Sequence, residues 1–362
     1  MTMEKRTHKL RHFIIILIAL LAALCLLPFA SFAEDIPEQD ERGWVDFVLV
    51  CNEGNNNTGS NVGNTMMVVS MNPKTGKIRL MMMTWDTFVR YEGFEQPRKL
   101  DQPFRRNGPE GTLKVFNDNF NMDIKLFMSL NYLNLASMID AYGGVEIDVS
   151  RAERNALNQM VASKKEEITR RAELGLLTQG AVELLASEYY LGEHEYGKNT
   201  HLNGLQAVGF GWLQYDSVYN CCEREVEVIA SLFSSVGNTI GEKVILYTDE
   251  SGEPEFAEGR EAINLDHMTD EDQAFLREQM DPIFQMAYHN LTETDIVNIS
   301  NALVRAAYLA SRQGVNVFNN LEYKIFPKEA KKPYDMIAGI MGHLVDYAEN
   351  EKEMKEFLFA EE

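Results

Sequence analysis

Positive charge is scarce in this sequence: 34 lysines and arginines stand against 55 aspartates and glutamates, a formal net charge of -21. Lys5, Arg6, Lys9 and Arg11 precede an apolar segment, so the remainder is more acidic still. A surface of that sign repels nucleic acid and anionic headgroups unless a basic tract intervenes, and no long one occurs. Nucleic-acid binding is therefore excluded as a leading reading. Cysteine is equally sparse, with four in 362 residues. Cys25 lies in the apolar segment, and Cys51, Cys221 and Cys222 follow no zinc-site spacing. A disulfide among the last three is permitted, not required. No internal repeat is present, and charged and apolar fractions are those of an ordinary globular chain.

What is present begins with a targeting signal. A basic flank, KRTHKLRH, precedes the apolar run Phe13–Leu27, then Pro28 and Ala30-Ser31-Phe32-Ala33. Small residues at Ser31 and Ala33 suit signal-peptidase cleavage, and the stretch is also just long enough to span a bilayer uncleaved. Either outcome exports the rest of the chain. Residues 1–33 are expected to be a signal peptide or membrane anchor, 34–43 a linker and 44–360 an extracytoplasmic domain, membrane-anchored or secreted.

That domain is organised around Asn64–Val89, NTMMVVSMNPKTGKIRLMMMTWDTFV. Two continuous apolar runs, Thr65–Met71 and Ile78–Met83, flank a turn at Asn72–Gly76, where Pro73 and Gly76 supply the bend. Runs without polar alternation mark strands buried on both faces. The second ends in Thr84-Trp85-Asp86-Thr87, which puts a carboxylate at the rim of the sheet, where open α/β folds keep their sites; a plain turn-capping role for Asp86 is the alternative. The methionines read first as core filling.

Trp44–Cys51 and Ile124–Leu130 read as strands and Val145–Val149 as a half-exposed one. Phe94–Gly111, with Pro97, Pro103, Gly108 and Pro109, reads as a loop carrying the cations Arg98, Lys99, Arg105 and Arg106. Helices are expected at Thr112–Asn121, Asn134–Tyr142, Glu223–Val236, Asp270–Tyr288, Glu293–Ser311 and Pro333–Asn350, with Ser150–Glu173 a solvated helical arm, Gly197–Ala207 a turn entering a helix and Glu242–Asn264 a polar excursion. Alternating strands and helices make the class α/β.

These pieces in this order, namely NTMMVVSMNPKTGKIRLMMMTWDTFV, RKLDQPF, DAYGGVEIDV, HLNGLQAV and CEREVEVI, resemble the LytR-CpsA-Psr family of extracytoplasmic cell-envelope transferases. The resemblance covers roughly residues 44 to 360. It implies a three-layer α/β/α domain with a central mixed sheet and an apolar pocket for the polyprenyl chain of a lipid-linked glycan. It also implies transfer of a glycopolymer to peptidoglycan, with magnesium and a set of arginines holding the pyrophosphate. The chemistry needs them, because a departing pyrophosphate gathers negative charge that guanidinium groups and a hard cation must hold.

Carried over residue by residue, that set is largely gone. The family's arginines fall on Val62, Trp85, Trp212, Gln214 and Cys221, and an aspartate falls on Asn64. Asp86, Arg224 and Lys99 are kept; Glu53 matches an aspartate, Glu225 a glutamine and Cys51 a glycine. Each lost guanidinium forfeits on the order of 2–4 kcal/mol of transition-state stabilisation, so most of the catalytic advantage goes with them.

Three readings follow. In the first, the chain is a catalytically impaired member that binds a lipid-linked glycan or an envelope partner, with Trp85 and Trp212 stacking on a sugar or merely filling space, and Asn64 and Gln214 lining the cleft. In the second, a rearranged site still transfers: Glu53 and Asp86 hold Mg, Asp86 takes the acceptor proton, and Lys99, Arg105, Arg106 and Arg224 replace the missing cations. In the third, the acidic face and the 150–173 arm serve as a scaffold. The mapping also allows Cys51 to bond Cys221 or Cys222 across the former site.

Overall fold

The computed structural model describes residues 42–54, 63–176, 190–252, 259–327, 334–337 and 339–360. The expected signal segment, most of the linker, and Val62 lie outside these.

In chain order the elements are β1 (Val45–Asn52), β2 (Gly63–Met71), β3 (Ile78–Met83), β4 (Phe88–Val89), β5 (Arg98–Lys99), α1 (Asp101–Phe120), β6 (Leu126–Asn131), α2 (Tyr132–Ala141), β7 (Val145–Val149), α3 (Arg151–Glu173) and β8 (Gly197–Leu202). They continue through α4 (Gly204–Gly211), α5 (Val218–Lys243), β9 (Val244–Tyr247), β10 (Glu261–Asn264), α6 (Asp270–Gln279), α7 (Asp281–Met286), β11 (Tyr288–His289), α8 (Glu293–Gln313), β12 (Glu322–Phe326), β13 (Tyr334–Ile337), β14 (Ile340–His343) and α9 (Tyr347–Leu358).

The central sheet has six strands in the order β11-β6-β1-β2-β3-β12. It is mixed: β1 runs antiparallel to β2 and parallel to β6, while β3 runs antiparallel to β2 and parallel to β12. Alternation along each strand sends Leu49, Cys51, Met67, Val69, Leu80 and Met82 to one face, against α2, α5 and α8. Val48, Val50, Met66, Val68, Met81 and Met83 go to the other, where Phe104, Phe116 and Phe120 of α1 and Met354, Phe357 and Leu358 of α9 cover them. Both faces are dry, which is why β2 and β3 read as unbroken apolar runs. The methionines are fully buried there, as core filling requires.

Helix starts follow their caps. Ser150 and Glu153 form a reciprocal capping box at α3, and Asn203 and Gln206 do so at α4. Elsewhere the local reading fails. The expected loop 94–111 becomes helical from Asp101, kinked where Gly108 takes φ 68° ahead of Pro109. Gly197–Leu202 is a strand on β7, not a turn. Val244–Tyr247 and Glu261–Asn264 form a parallel pair inside the expected excursion. The expected helix 333–350 is a hairpin, β13–β14, and only then a helix, which begins after the Asp346 cap.

Candidate functional site

The strand ends above β1 and β2 form the floor of the site. Asn52 donates through Nδ2 to the Leu130 carbonyl (3.1 Å), and its Oδ1 accepts from the Gly54 N–H (2.7 Å), turning the chain away from the sheet. Glu53 is exposed and accepts a hydrogen bond from Asn64 Nδ2 at 2.9 Å. Across the ladder Thr65 pairs with Cys51, and its side chain hydrogen-bonds Cys51 and Glu225 of α5. Burial pushes the Glu225 carboxyl up to about 8, so at neutral pH it keeps its proton despite the Thr65 bond and the nearby Arg224. Cys51, Cys221 and Cys222 are free, buried thiols, pushed well up by burial and by Glu225. The pairing of Cys51 with Cys221 or Cys222 is not formed.

Asp86 is fully buried rather than open at the sheet rim. Its Oδ1 lies 2.8 Å from His343 Nδ1, and its carbonyl accepts the His343 backbone N–H at 3.2 Å. Its Oδ2 has no hydrogen-bond partner among the described residues. Trp85, beside it, is half-buried; Lys99 Nζ sits 5.0 Å from the centre of its ring. The Trp85 carbonyl accepts from Asp101 at the start of α1, and burial raises the Asp101 carboxyl against the pull of Gln102, Lys99 and Arg105.

Among the described residues Asp86 makes no ion pair with Lys99, Arg105, Arg106 or Arg224. Arg224 is 4% exposed and holds both oxygens of Asp216 (2.9 and 2.8 Å) and the Leu213 carbonyl (2.5 Å), tying down the α4–α5 connection. Arg105 and Arg106 are exposed; Arg106 stacks 5.0 Å from the Phe94 ring, which Arg98 also approaches at 4.7 Å. Gln214 faces solvent. Trp212, 4% exposed, packs on Tyr132 with ring centres 6.1 Å apart, so it fills core and offers no face to a sugar.

Magnesium does not fit this donor set. A hard cation needs several convergent oxygens. Glu53 faces solvent against Asn64, while Asp86 is sealed against an imidazole. No group of three or more His, Cys, Asp or Glu side chains suited to a metal occurs among the described residues.

Sequence reasoning missed His343 and Tyr219, whose ring meets the His343 ring edge-on at 5.4 Å. No local signal marks either, since the pairing spans the chain. It also missed Arg171, assigned to a solvated arm; the guanidinium donates to Tyr132 Oη at 3.4 Å and pairs with Glu167. The site is thus built on the Asp86–His343 and Arg224–Asp216 pairs and not on a cluster of cations.

A family model described as the LytR_cpsA_psr family matches residues 37–238 of the sequence, more than half of it. Among solved structures, TagV of B. subtilis superposes with a TM-score of 0.55 at 11% identity, over 88% of this chain and 98% of that one. TagT bound to LIIa-WTA gives 0.53 at 12% identity, over 89% and 94%. The protein gbs0355 of Streptococcus agalactiae gives 0.55 at 14%, over 88% and 89%. At such identities the likeness is one of fold. A comparison with curated proteins finds no match.

Proposed function

The chain belongs to the LytR-CpsA-Psr family, and from that premise we propose that it binds a lipid-linked glycan or peptidoglycan in the cell envelope without transferring it. The supporting observation is the engagement of two expected site groups: Asp86 is held by His343, which takes the oxygen a cation would use, and Arg224 is held by Asp216, which takes the guanidinium a diphosphate would use. A relative of the same fold is described as bound to LIIa-WTA, which makes a wall-teichoic-acid type of precursor the ligand class to try first. In this reading the apolar segment Phe13–Leu27 delivers the domain to the outer membrane surface, where such ligands are anchored.

Lys99 and Arg105, near Trp85 and Asp101, are the cations through which a rearranged transferase would have to work. Calorimetric titration of the full chain with a short polyprenyl-pyrophosphate glycan, followed by an assay for transfer to peptidoglycan, separates the two readings. Saturable heat with no transfer above a protein-free control is expected. Transfer that is lost in Asp86→Asn would establish the enzyme instead, and no heat with either glycan or muropeptide would leave the scaffold role.

A further inference from the structure

Hairpin β13–β14 lies outside the matched residues 37–238, yet it closes the site. Contacts of His343 and Gly342 seat it. His343 Nδ1 lies 2.8 Å from Asp86 Oδ1, with the carboxylate fully buried and the histidine 9% exposed. The His343 backbone N–H donates to the Asp86 carbonyl, and His343 bridges Thr87 as a short parallel pair. Gly342 lets the two backbones meet, since a Cβ there would overlap the Asp86 carbonyl oxygen. Tyr219 of α5 backs the imidazole edge-on, and its hydroxyl is fixed to the Pro327 carbonyl at 2.5 Å.

A buried carboxylate needs a partner that offsets its desolvation. A divalent ion and a hydrogen-bonded imidazole are alternative partners for the same oxygen. Magnesium requires near-octahedral oxygen ligands at about 2.1 Å and keeps several of its waters, which calls for open space beside the carboxylate. Here Asp86 Oδ1 is engaged by the His343 ring, Tyr219 backs that ring, the Gly342 backbone lies against the Asp86 carbonyl, and the carboxylate as a whole is sealed from solvent. The second acidic residue of the expected metal pair, Glu53, is turned to Asn64.

We propose that His343 stands in for the divalent cation at Asp86, delivered by a hairpin the matched segment does not contain, so that the cleft works without a metal. His343 is a positioning residue: it fixes the carboxylate that an ion would otherwise hold. The proposal concerns Asp86 and its partner alone and stands whether or not the glycan reading does.

The test needs no glycan. The full chain, labelled with 15N-histidine, is observed by long-range proton–nitrogen NMR, with the His343 signal assigned by its loss in His343→Gln. Expected is an Nδ1-protonated tautomer with a downfield proton that moves in Asp86→Asn and stays sharp through a titration with Mn2+. Calorimetry with MgCl2 is expected to give no saturable heat. Selective broadening of the His343 signal by Mn2+, saturable heat lost in Asp86→Asn, or an Nε2-protonated tautomer would each overturn the proposal. Should Asp86→Asn not fold, the tautomer and Mn2+ readings on the unaltered protein still decide it.

Discussion

Glu225 shows at the residue scale what burial does to a carboxyl beside the cleft. The unfolded chain releases this proton near 4.5, whereas the folded chain keeps it to about 8. Between those values the folded state binds more protons, so stability is fully present below 4.5 and declines as pH rises toward 8. The slope reaches up to about 1.4 kcal/mol per pH unit at the midpoint of the window. Glu227, raised to about 7 by burial, adds a decline of the same sign. Urea unfolding of Glu225→Gln should therefore match the unaltered protein at pH 4 and exceed it at pH 8.5, with Glu227 leaving a smaller residual slope. Equal pH dependence in the two proteins would mean Glu225 is ionised in the fold. The thiols of Cys51, Cys221 and Cys222 are buried and held protonated, so maleimide should label them only after unfolding.

Elements meet closely enough that single atoms decide their packing. Helix α5 runs against α8, and a Cβ at Gly237 would overlap the Ala307 Cβ. Gly241, in the same helix, has nothing within 4 Å of its Cβ direction. Thermal denaturation should show Gly237→Ala destabilised by about 1–3 kcal/mol through overpacking. Gly241→Ala should be stabilised by about 0.5–1 kcal/mol through helix propensity. The opposite signs test the interhelical contact apart from any general effect of removing glycine. Helix α1 illustrates why propensity alone misplaced an element. Pro103 and the Gly108-Pro109 pair speak against a helix, but Phe104 and Phe116 bury against the sheet, and a kink accommodates the proline.

Over the whole molecule, charge sets what the surface can approach. With a net charge of -21, the protein should pass through a heparin or DNA column unretained at low salt and bind an anion exchanger. Retention on heparin at low salt would reveal that the exposed Arg105 and Arg106 beside Phe94 form an anion-binding patch strong enough to outweigh the rest. Among the described residues no helix is long and apolar enough to cross a membrane. The sheet divides the protein into two separate cores, so the helices over each face are held by different sets of side chains.

The sequence by itself determined the central strands, the turn between β2 and β3 and the family, because each is written in neighbouring residues: unbroken apolar runs, a proline–glycine bend, an ordered set of motifs. Tertiary structure alone decided what became of the groups that remained. Asp86 and His343 lie 257 positions apart, and Arg224 reaches back to Asp216 rather than forward into the cleft. Periodicity records which face of an element is buried, not which distant side chain meets it there, so the partner of a buried carboxylate emerges only when the chain has closed around it.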